Sequence, residues 1–155
     1  MIKEKIIRTL HEATSGLNSL EDDFFIIGAS AIILSGIKIG ETNDIDILTS
    51  VHDADKLKNA WKDKIEKNPQ LKESELFRSD FSRYNFSEMD IEIQGNLHVY
   101  KENRWVEVKI GQYTPTTIGD LSLKIPTIDE QIRILQLFGR EKDMKRLHLI
   151  RNAGL

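Results

Sequence analysis

Asp44-Ile45-Asp46-Ile47-Leu48 is the segment of this chain best suited to chemistry. Aspartate is depleted in strands, yet two stand here at positions i and i+2 of an apolar run. Period-two geometry puts both carboxylates on one face and sends Ile45 and Ile47 to the other. Carboxylates held that close repel unless a proton or a cation lies between them. Hard oxygen donors of this kind suit Mg²⁺ or Mn²⁺, which bridge protein carboxylates and substrate phosphates. A solvated strand end, with Asn43-Asp44 in its turn, would give the same pattern without a metal.

Met89-Asp90-Ile91-Glu92-Ile93 repeats the acidic alternation later in the chain, although an exposed sheet face would also produce it. Gly28-Ala29-Ser30 follows the apolar run Phe24-Phe25-Ile26-Ile27, where a strand should turn into a helix. Gly28 lets the backbone approach a ligand, and the first helical N–H groups with the Ser30 hydroxyl can hold a phosphate. A tight turn with Ser30 as a simple cap is the plainer alternative.

Other signatures fail. His11-Glu12 begins a zinc-protease pattern, but Ser15 occupies the position that needs the second histidine. The four histidines, at 11, 52, 98 and 148, show no ligand spacing. Ile32 stands where a nucleophile elbow needs its second glycine. No Walker or dinucleotide fingerprint is present, and Asn43–Asp46 lacks the glycine and terminal glutamate of a calcium loop. The absence of cysteine excludes disulfides, thiolate zinc sites and cysteine nucleophiles, and is compatible with a cytoplasmic location.

The elements that must position the acidic residues follow from periodicity. Residues 2–20 read as an amphipathic helix with a weak spot at Gly16, Phe24–Ile27 as a buried strand, and Ala29–Gly36 as a helix. Lys38–Asn43 is a loop and Asp44–Thr49 a strand. Asp53 is expected to cap a helix from Ala54 to about Asn68, ended by Pro69. Two or three strands fall in 76–99, and Leu97–Tyr100 pairs with Trp105–Ile110 across residues 101–104. Leu121–Ile125 is a further strand. Thr127 with Glu130 forms a capping-box pattern opening a helix to about Phe138, and a last helix covers Glu141–Arg151.

The expected architecture is therefore α/β (α+β): a mixed central sheet flanked by helices, in one domain of 155 residues. With 39% hydrophobic and 30% charged residues and no polar tract, the chain reads as globular rather than disordered. A net charge of −3 gives no general attraction to nucleic acid, so such a partner would need a local basic patch. The charged first turns argue against a signal peptide, and the longest apolar stretch, Phe24–Ile39, is too interrupted to span a membrane.

Taken together, Gly28-Ala29-Ser30, Asp44-Ile45-Asp46 and a later acid at Asp90 or Glu92 resemble the nucleotidyltransferase superfamily with the polymerase-beta-like fold. Its signature is a strand, a small-residue turn into a helix, Asp-x-Asp on the next strand and a third acid on a later one. Phe25-Ile26-Ile27-Gly28-Ala29-Ser30-Ala31 and Thr42-Asn43-Asp44-Ile45-Asp46-Ile47 are similar to small bacterial members, including abortive-infection-type toxins. Lys124-Ile125-Pro126-Thr127 and Gly139-Arg140-Glu141-Lys142-Asp143 look like the same group's C-terminal helical segment, here about 127–151; a turn with mixed surface charge would read alike.

The resemblance implies transfer of a nucleoside monophosphate from an NTP to an acceptor hydroxyl on a protein, an RNA or a small molecule. Asp44 and Asp46 would hold Mg²⁺ or Mn²⁺, one ion on the triphosphate and one on the attacking oxygen. A third acid would complete the second metal site and act as general base. Asp90 is chosen over Glu92, because the family acid stands near the start of its strand and a short aspartate suits octahedral Mg²⁺. Gly28, Ala29, Ser30 and Thr42 would hold the nucleotide phosphates, and Arg140 and Lys142 would neutralise the leaving pyrophosphate. Two departures, Ala29-Ser30 after Gly28 and Gly40 in place of a basic residue, favour an alternative. In it the fold is a non-catalytic binding module acting through a partner protein, for example in a toxin–antitoxin pair. A phosphohydrolase is weaker, for want of an aspartyl-nucleophile motif or metal-binding histidine.

Overall fold

Alternating burial sets the centre of the molecule. In the computed structural model, which describes residues 1–154, Phe25–Ile27 (β1) runs antiparallel to Asp44–Thr49 (β2). Ile26 faces Ile47 and Ile27 faces Asp46 across that ladder. Ile45 and Ile47 of β2 are fully buried, as their spacing requires.

Phe77–Asn85 (β3), Asp90–Lys101 (β4), Arg104–Glu107 (β5), Tyr113–Ile118 (β6) and Leu121–Pro126 (β7) complete the sheet. Its order is β3-β4-β2-β1-β7-β6, with β5 paired to the far end of β4. The β2–β4 and β1–β7 ladders are parallel and the others antiparallel, so the sheet is mixed, as expected. Glu102 and Asn103 both take positive φ in the β4–β5 turn, the tight geometry that matches strand twist. No strand was expected at β6, because Thr114-Pro115-Thr116 breaks the hydrophobic pattern. It lies at the sheet edge, where a missing proline N–H is tolerated.

Ile2–Glu12 (α1), Thr14–Asn18 (α2), Gly28–Leu34 (α3) and Val51–Ala60 (α4) supply one face of the core. Ile6, Leu10, Leu17, Ala31, Ile33 and Leu57 meet Ile26, Ile45, Ile47, Ile91 and Ile93 there. The expected helix over 2–20 is thus two helices, joined at Ala13. Gly16 is less a weak spot than a packing requirement: a Cβ there would lie 2.3 Å from Trp61 Nε1. Ile128–Phe138 (α5) reaches the opposite face, and Glu141–Arg151 (α6) joins it through Leu135, Leu147 and Ile150 packed on Ile32. Leaving one sheet face covered only by α5, α6 and a connection creates the concavity described below. Among the described residues, no helix is long and apolar enough to cross a membrane.

The expected cap and length of α4 need correction. Ser50 is the N-cap, its side chain accepting from Asp53 N, and the helix ends at Ala60 instead of Asn68. Trp61 turns inward at that point and packs edge-on against Tyr84 and Phe86. Asp53 is fully buried and accepts hydrogen bonds from the backbone amides of Glu21 (3.2 Å) and Asp22 (2.7 Å). Truncating it strands those donors, so Asp53→Ala is expected to cost about 2–3 kcal/mol. Urea unfolding should show this as a lower midpoint with an unchanged slope; a loss under about 0.5 kcal/mol would contradict it.

Thr127 caps α5 by accepting from Glu130 N, and Gly139 closes the helix in the left-handed conformation. Glu130 does not complete the expected box: its carboxylate accepts instead from the amides of Gly111 and Gln112. That contact joins α5 to the segment leading into β6.

Candidate active site

β2 and β4 are parallel, with Asp44 beside Asp90 and Asp46 beside Glu92. Oxygens of Asp44, Asp46 and Glu92 all lie within 4.8 Å of one another, a donor set able to hold a metal ion. Asp90 does not join them. It accepts from Asn85 Nδ2 at 2.9 Å and lines a separate shallow pocket with Ile2, Lys5 and Ser87. The geometry therefore groups Glu92, the alternative third acid, with Asp44 and Asp46 in place of Asp90. Asp90 begins its strand and its side chain is held by a neighbour on β3, whereas Glu92 lies across the ladder from Asp46.

Burial and the charges of Glu92 and Asp44 push the Asp46 carboxyl well above its ordinary range. Asp44 is raised as well, by burial first and then by Glu92. Such mutual repulsion is what a cation would relieve. Arg83, opposite Glu92 in the β3–β4 ladder, answers part of it. Its Nε donates to Glu92 Oε2 at 3.0 Å, its Nη2 binds the same oxygen, and its Nη1 reaches Glu66 at 3.3 Å.

Gly28 opens α3 directly against these acids. Its φ is +69°, and a Cβ would lie 3.0 Å from Asp46 Oδ2, so both conformation and space call for glycine. Gly28, Ala29 and Thr42 line the cavity above the acids. Ser30 does not: it is buried, and its hydroxyl donates to Asp44 O at 3.3 Å. Thr42 Oγ1 donates to the same carbonyl at 3.2 Å. The two hydroxyls thus fix the backbone of the first aspartate, and the Ser30 side chain does not stand in the phosphate-holding place expected of it.

The opposite wall is basic and apolar. Arg140 at the N-cap of α6 and Lys142 and Arg146 within it, with Lys72 from the α4–β3 connection, line the same cavity of about 180 Å³ as Asp44, Asp46 and Glu92. Phe77, Phe81, Leu97 and Phe138 supply its apolar surface. Arg140 is gripped by buried Asp143 (Nε–Oδ2 2.6 Å, Nη2–Oδ1 3.0 Å) and lies over the Phe77 ring. Arg83, Lys72 and Arg146 had not been singled out from sequence. Arg146 alone carried a signal, since it stands four residues after Lys142 on one helix face. A second group, Asp22, His52 and Asp53, also brings ligand atoms together, but Asp53 is engaged there by backbone amides.

No protein-family model and no curated protein matches the sequence. Solved structures do match in three dimensions. A Thermotoga maritima protein described as a candidate nucleotidyltransferase superposes with a TM-score of 0.74 at 19% identity, covering 98% of this chain and 96% of that one. The chain has the nucleotidyltransferase fold.

Two further structures with this nucleotidyltransferase fold are more distant. The lincosamide antibiotic adenylyltransferase LnuA, solved with lincomycin bound, gives a TM-score of 0.58 at 15% identity, over 93% of this chain and 95% of that one. The antibiotic-resistance factor ANT(2'')-Ia gives 0.58 at 10% identity, over 99% and 85%. None of the three is described as an abortive-infection toxin, so that narrower resemblance rests on the sequence motifs alone.

Proposed function

We propose that this chain is a metal-dependent nucleotidyltransferase, moving a nucleoside monophosphate from an NTP to an acceptor hydroxyl. One observation carries the reading: three carboxylates converge on one side of a cavity whose other side is cationic. A set of acids this complete favours catalysis over a degenerate binding module. Asp44, Asp46 and Glu92 would hold Mg²⁺ or Mn²⁺, which when bound neutralises phosphate charge and polarises the reacting oxygens.

The remaining work falls to the chain itself. Gly28 and Ala29 leave room for the phosphates to approach the backbone, and Thr42 fixes the loop beside them. Glu92 accepts the proton of the attacking hydroxyl as its oxygen bonds to the α-phosphorus and the bond to pyrophosphate breaks. Arg140, Lys142 and Arg146 stabilise the charge that develops on the departing pyrophosphate. The Phe77, Phe81, Leu97 and Phe138 wall limits water around the nucleotide, which strengthens each of these interactions.

The direct test is incubation with each labelled NTP, Mg²⁺ and a cell extract, followed by a search for labelled product. Thermal melts provide a second readout. A nucleotide at a hundredfold its Kd should stabilise by about 2.7 kcal/mol, roughly 5–10 °C at this chain length. Absence of both product and shift with every NTP at millimolar levels would remove the reading.

A further inference from the structure

The cationic wall of the cavity is already answered by an anion of the chain's own. Glu73 Oε1 lies 3.1 Å from Arg140 Nη1 and 3.8 Å from Lys142 Nζ. Arg140 does not need Glu73 for its orientation. Asp143, fully buried, takes the Nε and Nη2 edge and also the Arg140 backbone amide at 3.1 Å. The Phe77 and Phe138 rings pack against the guanidinium. What is left for Glu73 is Nη1, the donor free of Asp143 on the side of the shared cavity.

Glu73 reaches that position from the α4–β3 connection, residues 61–76, whose Leu71, Lys72 and Glu73 all line the cavity. Its φ is +59°, a backbone region that a residue with a Cβ seldom adopts. Its carbonyl accepts from Leu76 N at 2.8 Å and Phe77 N at 3.0 Å, so the turn is built on β3. The cavity beneath is about 180 Å³. Small-molecule sites run from roughly 300 to 1,000 Å³, so a nucleotide and this connection do not share the space as it stands.

We infer that Glu73 is an internal competitor for the substrate's phosphates, a carboxylate that holds Arg140 and Lys142 until a polyphosphate displaces it. This rests on the transferase reading and adds a selectivity device to it. A single carboxylate already on both cations is a threshold: an anion must engage Arg140 and Lys142 with more than one charged group before the exchange is favourable. Tripolyphosphate and nucleoside triphosphates meet that condition. Inorganic phosphate and nucleoside monophosphates, with less charge and one phosphoryl group, meet it poorly. As Glu73 leaves, its side chain clears Arg140 and Lys142 and the cavity opens beside them.

The test compares binding of inorganic tripolyphosphate by calorimetry, at fixed Mg²⁺, to the native chain and to Glu73→Gln. Glu75→Gln, an exposed carboxylate two residues along that does not line the cavity, controls for net charge. Glu73→Gln should bind about tenfold more tightly than the native chain and should narrow the gap between tripolyphosphate and inorganic phosphate. Glu75→Gln should match the native chain. Arg140→Gln added to Glu73→Gln should erase the gain. Equal Kd values for the native chain and Glu73→Gln would overturn the competitor role while leaving the anion seat and the transferase reading intact. Absence of binding to either protein would overturn the seat itself, and both ideas with it.

Discussion

Asp46→Asn is expected to abolish nucleotidyl transfer, by roughly a thousandfold or more, while making the metal-free protein more stable. The first effect follows from losing a ligand shared by the acids: metal stabilisation of transition-state charge is worth several kcal/mol. The second follows from the carboxylate's surroundings. Burial, Glu92 and Asp44 hold the Asp46 carboxyl well above its ordinary value of 3.8, so between the two values the native chain binds a proton that the unfolded chain releases. Its contribution to stability is full below about 3.8 and is lost as pH rises through the higher native value. Near neutral pH the substitution removes that penalty, and the melting temperature should rise by roughly 2–4 °C per kcal/mol relieved. The same variant should lose the upward shift expected of the native chain with Mg²⁺ and NTP. Activity within tenfold of native, or a lower melting temperature without metal, would contradict the assignment of Asp46 as a strained ligand.

The third acid provides the other large effect. Glu92→Gln is expected to reduce transfer by about 10²–10⁴-fold, the range for removing a general base. Asp90→Ala should stay within a few-fold of native. The contrast rests on the parallel β2–β4 ladder, which sets Glu92 beside Asp46, and on the Asn85 contact that holds Asp90 outside the group. Glutamine at 92 keeps the side-chain volume and still accepts from Arg83, so the fold should persist and the comparison should be clean. A titration with Mn²⁺ adds a readout independent of turnover: affinity should fall in Glu92→Gln and hold in Asp90→Ala. A dead Asp90→Ala beside an active Glu92→Gln would show that the site uses the strand's first acid after all.

Much of this molecule is legible in its sequence, and the legible parts share a property. Alternation over Asp44–Leu48 is enough to place Asp44 and Asp46 on one face, because successive side chains of any strand point to opposite sides. Gly28 after an apolar strand implies close backbone approach, since few other residues tolerate its φ. Thr127 and Glu130 open α5 because a side-chain acceptor three residues before a free amide is a local matter. Each of these is settled within one turn or one pleat.

Other features depend on contacts between distant segments, and there local pattern fails. Asp90 and Glu92 have the same alternation, and only the β2–β4 register together with the Asn85 contact from β3 separates them. Ser30 reads as a ligand group until α3 packs against the start of β2 and turns its hydroxyl to a carbonyl. Asp53 reads as a cap until the Glu21 and Asp22 amides are seen to converge on it. Arg83, Lys72 and Glu73 enter the site from β3 and the connection before it. Composition and periodicity thus determined that this chain has paired acids on a strand beside a glycine turn in a mixed α/β sheet. Tertiary structure alone decided which third acid and which cations meet them, because strand register and helix docking are set by packing between segments far apart in sequence.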